Sequence, residues 1–185
     1  MLGAFLALLN TPEEKTRFEH LYLENRSIMY NYAMEILKDS QLAEDAVQDA
    51  FMKLIKYMDR IKERNDRDAR NYLIIIVKNE ARQIYNQRKN VVYQEDMTEL
   101  DWDYPDVEHL VESKEEKRHI MDLIKSIDSK YGDPLMLRFY YEFKDKEVAA
   151  MLKISLENEK IRVHRGREMV KKLLEREKAH DGEPV

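Results

Sequence analysis

The chain has 185 residues, with 32 Lys and Arg against 37 Asp and Glu for a formal net charge of −5, and it carries only 4 Gly, 4 Pro and no Cys. So many charged and straight-chain residues with so few breakers predict a helical protein. The lack of Cys excludes disulfides, thiolate metal sites and a cysteine nucleophile, and is compatible with a reducing compartment.

The chain opens with MLGAFLALLN. This segment lacks a basic n-region and a small-residue cleavage pattern, so it does not read as a signal peptide. It is also far too short to span a bilayer, and a docked or frayed N-terminal helix is expected. Thr11-Pro12-Glu13-Glu14 is a helix start, with a Thr cap, Pro at the first position and acids in the first turn. One helix is predicted from about Glu13 to Asn25, burying Phe18, Leu21 and Tyr22. A second runs from about Arg26 to Leu37, burying Met29, Tyr30, Ala33 and Leu37. Asp39 or Ser40 caps a third, which continues to about Tyr57.

Within the third helix, LAEDAVQDAFMKLI places Leu42, Ala46, Val47, Ala50, Phe51, Leu54 and Ile55 on one stripe at spacings of three and four. The other face holds Glu44, Asp45, Gln48 and Asp49, with lysines only at Lys53 and Lys56. Acids near a helix N-terminus favour the macrodipole, so this face is explained equally by the helix itself or by a basic partner. A polar loop, Lys62 to Arg67, precedes a fourth helix from about Asp68 to Lys89. Its run YLIIIV resembles a strand, but Leu73, Val77, Ala81 and Ile84 continue a helical stripe past it. From Arg60 to Lys89 there are nine Lys/Arg against four Asp/Glu, so a basic segment follows the acidic face.

Residues 91–116 hold ten acids against the single Lys114. They contain Pro105 and no sustained period, which reads as an extended or partly ordered linker. Beyond it, helices are expected over Lys117–Tyr131 and Pro134–Glu142, separated by Gly132-Asp133. A short helix follows over Asp145–Leu152, then a turn at Lys153-Ile154-Ser155, then a basic helix from about Leu156 to Lys178. The outline is that of a helix-turn-helix. The tail from 179 to 185 is expected to be disordered.

Five segments carry a family resemblance. YAMEILKD, Tyr32 to Asp39, precedes LAEDAVQDAFMKLI, with its Ala-Glu-Asp, an apolar residue, Gln, an acid and Phe. YLIIIVKNEARQIYNQRK follows, Tyr72 to Lys89, leading from an aromatic-Leu pair to Asn79 and basic residues. KEVAAMLKIS, Lys146 to Ser155, then precedes HRGR, His164 to Arg167, at the family's usual spacing. In this order they resemble regions two and four of the sigma-70 family of bacterial RNA polymerase sigma factors, in particular its extracytoplasmic-function (ECF) group. Three departures fall near the turn: Lys153 stands at the family's glycine, Glu157 at a small residue and Glu159 at an apolar core position. A slight rotation of the helix would let Ile161 or Val163 take over packing. In the fourth helix, Gln83 stands where the family has an acid.

The resemblance implies an all-α fold of two small helical domains: a region-two helical bundle at 1–90 and a region-four helix-turn-helix at 117–178, joined by the acidic linker 91–116. It implies a cytoplasmic sigma factor that is not an enzyme and that directs promoter-specific transcription initiation. The implied partners are RNA polymerase core (its largest-subunit clamp helices and its flap), promoter DNA and an anti-sigma factor, with no membrane insertion, no metal and no cofactor. Glu44, Asp45, Gln48 and Asp49 would meet the clamp. Arg64, Asn65, Arg67, Lys78, Asn79, Arg82 and Arg88 would bind the minus-ten element, with the loop as a pocket wall, Asn79 on a base edge and Lys78, Arg82 and Arg88 on phosphates. Asn158, Lys160, Ile161, Arg162, Arg165 and Arg167 would bind the minus-thirty-five element, the last two through phosphates. Glu157 either accepts from a cytosine amine or favours the helix N-terminus. The linker would mimic a nucleic-acid strand in a basic channel or serve as a solvated spacer.

Two other readings remain. One is a stand-alone helix-turn-helix regulator of duplex DNA, the other a helical adaptor that uses its acidic surfaces. An enzyme is disfavoured: His20, His109, His119, His164 and His180 form no metal-ligand pair on one helix face, and no Gly-rich phosphate loop is present.

Overall fold

In the computed structural model, which describes residues 1–89 and 114–181, every regular element among the described residues is helical. The chain divides into two units, Met1–Tyr93 and Gln94–Val185. Of the expected linker, residues 91–113 lie outside the described residues, and 114–116 open a helix rather than extending the linker.

The first unit holds α1 (Leu2–Leu6), α2 (Pro12–Leu37), α3 (Ser40–Lys56), α4 (Met58–Ile61) and α5 (Asp66–Arg88). The start signal of α2 is realised: Pro12 is at the first position and the Thr11 hydroxyl accepts from the Glu14 N–H at 3.2 Å. The break expected between Asn25 and Arg26 does not occur, and α2 runs unbroken for 26 residues. Neither residue breaks a helix, and Asn25 points inward, its amide donating to Leu21 O and its oxygen accepting from Arg70 Nε, both at 2.8 Å. The chain turns only at Lys38, whose φ of 53° ends the helix in the left-handed region. Asp39 is the cap of α3, accepting from the N–H groups of Gln41 and Leu42 at 3.1 Å.

Helices α2, α3 and α5 pack pairwise into a bundle. Leu21, Met29, Phe51, Leu54, Tyr72, Leu73 and Ile76 are fully enclosed, each contributing about 1.5–3 kcal/mol through burial. Several positions differ from the periodicity, Ile55 and Ile84 among them, both half-buried. Ala43 is buried and Leu42 only half-buried at the start of α3, and Tyr30 is half-buried on α2. The N-terminal segment is docked: Phe5 lies 5.6 Å from Phe18 and 6.1 Å from both Tyr22 and Phe51, ring centre to ring centre. The YLIIIV run is helical, with Tyr72, Leu73, Ile76 and Val77 facing the core.

The second unit holds α6 (Lys114–Ser126), α7 (Ser129–Leu135), α8 (Asp145–Leu152) and α9 (Leu156–Asp181). A wide helical turn over Met136–Tyr140 extends α7, where the Tyr141 N–H reaches back to Met136 O at 3.1 Å. The break between the first two helices falls at Asp128 rather than at Gly132-Asp133. The Asp128 carboxylate accepts from the Lys130 N–H at 2.8 Å and caps α7. Gly132 serves close packing instead: a Cβ there would lie 2.6 Å from Ile124 O on α6. The final helix runs past the expected Lys178 into the segment read as a disordered tail, reaching Asp181; residues 182–185 lie outside the described residues.

α9 packs on α6, α7 and α8, and it does not rotate away from its acid. Glu159, Ile161 and Val163 are all buried. Gly166 lets α9 approach α7, since a Cβ there would lie 2.9 Å from Tyr131 O. Lys153 takes the left-handed conformation, φ 52°, that a glycine adopts freely. Lys153→Gly is therefore expected to stabilise the second unit by about 0.5–1 kcal/mol, read as a raised denaturation midpoint.

Candidate protein and nucleic-acid interfaces

The acidic face of α3 is built by the stripe beneath it, which buries Ala46, Val47 and Ala50 and turns the intervening positions outward. Asp45 and Asp49 are exposed and Gln48 is half-buried. Glu44 differs from its neighbours. Its two carboxylate oxygens accept from Arg26 Nη2 of α2 at 2.7 and 2.9 Å, so it ties α3 to α2 rather than standing open to a partner.

The loop ahead of α5 is anchored from α2. Arg17 donates from Nη1 to Asp66 Oδ1 at 2.5 Å and from Nη2 to Arg64 O at 2.6 Å. His20 Nε2 lies 3.0 Å from Asp66 Oδ2. Hydrogen bonds from Arg17 and His20 hold the Asp66 carboxyl below its ordinary range. A depressed carboxylate pKa gives stability that is present above the unfolded value of 3.8 and lost as pH falls through the folded one. Amide exchange in the loop 62–66 is accordingly expected to accelerate below about pH 4, and the Asp66→Asn variant should lose that transition. Asn65 caps α5, accepting from the Asp68 N–H at 2.9 Å while its amide donates to Asp68 Oδ2.

Along α5 the expected DNA residues divide. Arg67 and Arg88 are exposed, and Arg64, Lys78 and Arg82 are half-buried. The Lys78 ammonium sits 4.1 Å from the centre of the Tyr32 ring of α2, a cation–π contact that fixes its position. Arg88 reaches Asp39 at 3.5 Å. Asn79, expected on a base edge, is 8% exposed and largely enclosed by the bundle. The surface that α5 does present also includes Tyr85 and Lys89, whose ammonium is held above its ordinary range chiefly by a hydrogen bond with the Tyr85 side chain.

In the second unit, Ser155 opens α9, its hydroxyl accepting from the Asn158 N–H at 3.1 Å. Lys160, Arg162 and Arg165 are half-exposed, and Glu157 is exposed. One expected contact is corrected. Ile161 is 3% exposed and belongs to the core. Arg167 is half-buried, its guanidinium 4.7 Å over the half-buried Phe139 ring. Asn158 is half-buried, with its Oδ1 enclosed and without a hydrogen bond.

Sequence reasoning missed Arg17, Arg26 and Tyr32, which set the two surfaces of the first unit, and the Lys53–Glu80 pair joining α3 to α5. None stands at a local helical spacing from its partner, so no periodic signal marks them. Among the described residues no group of three His, Asp or Glu is placed to hold a metal ion. None of the described helices is long and apolar enough to cross a membrane.

Residues 21–91 match the model of the family described as sigma-70 region 2, a span that contains α3, the anchored loop and α5. The chain is similar to the RNA polymerase sigma factor SigZ of Bacillus subtilis (strain 168), at 27% identity over 164 residues, 85% of this chain and 86% of that protein. Among solved structures it is similar to the sigma factor RpoE in its co-crystal structure with the anti-sigma factor NepR from Bartonella quintana. That match has 19% identity and a TM-score of 0.35, and covers 85% of this chain and 96% of that one.

Proposed function

We propose that the chain is an RNA polymerase sigma factor of ECF type that directs transcription initiation, as its sigma-70 region 2 match and its similarity to a sigma factor over most of its length support, and that three surfaces divide the work. The exposed Asp45 and Asp49 and the half-buried Gln48 of α3 meet basic and amide groups of the largest-subunit clamp helices. Such rim charges steer and specify binding more than they add affinity. The anchored loop and the basic side of α5, through Arg64, Arg67, Lys78, Arg82 and Arg88, take the minus-ten element as it opens, with cations along the strand and the loop beside an unstacked base. Lys160, Arg162 and Arg165 of α9 approach the minus-thirty-five element in the major groove. The second unit then corresponds to region four, meeting the flap, and the chain works in the cytoplasm with an anti-sigma factor as its regulator.

The observation that supports this best is the division of charge within the matched segment. One bundle turns an acidic face outward on α3 and a basic one on α5, the two surfaces that a protein needs to hold a polymerase and a DNA strand at once. The test is to mix the purified protein with bacterial core polymerase and assay promoter-specific transcription. Initiation that depends on this protein is expected. A stand-alone regulator would bind DNA alone and need another sigma factor, and an adaptor would give neither activity. Charge removal at Arg162 and Arg165 should also flatten the salt dependence of promoter binding.

A further inference from the structure

One buried acid has no part in these surfaces. Glu159 lies one turn into α9, on the stripe with Val163, Gly166 and Val170 that faces the rest of the second unit. It is 0% exposed, and neither carboxyl oxygen has a hydrogen-bond partner. The charges acting on it come from Asp145 of α8, Arg138 of the wide turn and Lys160 of α9 itself. Arg138 is already engaged: its Nη2 bonds Asp145 at 2.9 Å, while its Nη1 is buried without a hydrogen bond. The acid therefore faces a second carboxylate whose countercharge is shared.

An ionised carboxylate without hydrogen bonds is what a protein interior tolerates least, whereas the neutral acid packs much as an apolar side chain of its size. Burial first, then Asp145, push the Glu159 carboxyl up from its ordinary 4.5 to about 7, with Arg138 and Lys160 opposing.

We propose that Glu159 makes the α8–α9 pair a proton-controlled element, held closed when its carboxyl is neutral and loosened when it is ionised. The direction follows from linkage. The closed form keeps its proton where the open form has lost it, so the acid's contribution to closure is complete below pH 4.5, declines above it and is gone above about pH 7. If α9 is the promoter-reading helix, as proposed above, duplex binding by this unit weakens in the same direction.

The test needs no DNA. Amide hydrogen exchange is measured on the full chain at pH 6 and pH 8 and corrected for the intrinsic rate. In the unaltered protein the opening constant of α8 and α9 amides should rise about tenfold between those values, with no matching change in α2, α3 or α5. Glu159→Gln and Glu159→Leu should each abolish the difference. An unchanged opening constant in the unaltered protein, or the same rise in both variants, overturns the proposal. Should transcription assays reject α9 as a promoter contact, the exchange result would still stand or fall by itself.

Discussion

Lys53→Met is expected to destabilise the first unit by about 3–5 kcal/mol, because it removes a paired cation from a fully buried carboxylate. The Lys53 ammonium on α3 pairs with the Glu80 carboxylate on α5; the Glu80 side chain is 0% exposed and that of Lys53 only 16%. Breaking one side of such a pair leaves the other buried without that countercharge. Replacing both residues by Met should recover most of the loss, since a buried ion pair exchanged for apolar side chains of similar size is often neutral or stabilising. The measurement is urea denaturation of the single and double variants, followed through exchange protection in α3 and α5. Near-additive losses would show that the pair does not act as a unit. The functional consequence follows from where the pair sits. It spans the helix with the acidic face and the helix with the basic one, so the single variant should weaken polymerase and promoter contacts together.

Asp45→Lys combined with Gln48→Lys is expected to lower affinity for core polymerase by at least about a hundredfold, on the scale of 2–5 kcal/mol for disrupted interfacial charge contacts. Asp45 is exposed and Gln48 half-buried, so helical content and denaturation midpoint should stay near those of the unaltered protein. Pull-down of core enzyme provides the readout, and undiminished capture would remove α3 from the proposed interface. Glu44→Ala supplies the contrast. Glu44 is held by Arg26, in a pair exposed enough to be worth only about 0–1 kcal/mol, so its loss should change core binding far less than the double reversal.

The difference between Glu44 and Asp45 shows where sequence reasoning stops. Both stand on the acidic face by periodicity, and both fit the family motif equally well. Arg26 is 18 residues away from Glu44, on a helix whose rotation no local pattern specifies. Asn79 and Ile161 teach the same lesson from the other side. Each occupies a position that motif matching assigns to DNA, yet each is largely enclosed. Glu159 is the converse case: the family pattern marks its position as apolar core, and the acid is buried there without rotating the helix. The break at Asp128 is not legible locally, since Gly132 reads as a breaker until the approach of Ile124 O is known.

What the sequence determined by itself is what depends on neighbours a few residues apart. The helical character of the described residues, the caps at Thr11 and Asp39, the acidic and basic segments and the helix-turn-helix order follow from spacing and composition, and the family resemblance from the motifs. The tertiary structure alone decided which charges pair across helices distant in the chain. Arg17 meets Asp66 across 49 residues and Lys53 meets Glu80 across 27. Such pairings, and the depth at which Glu159 lies, are set by how helices distant in the chain cross and exclude water, and that geometry is written in no single stretch of residues.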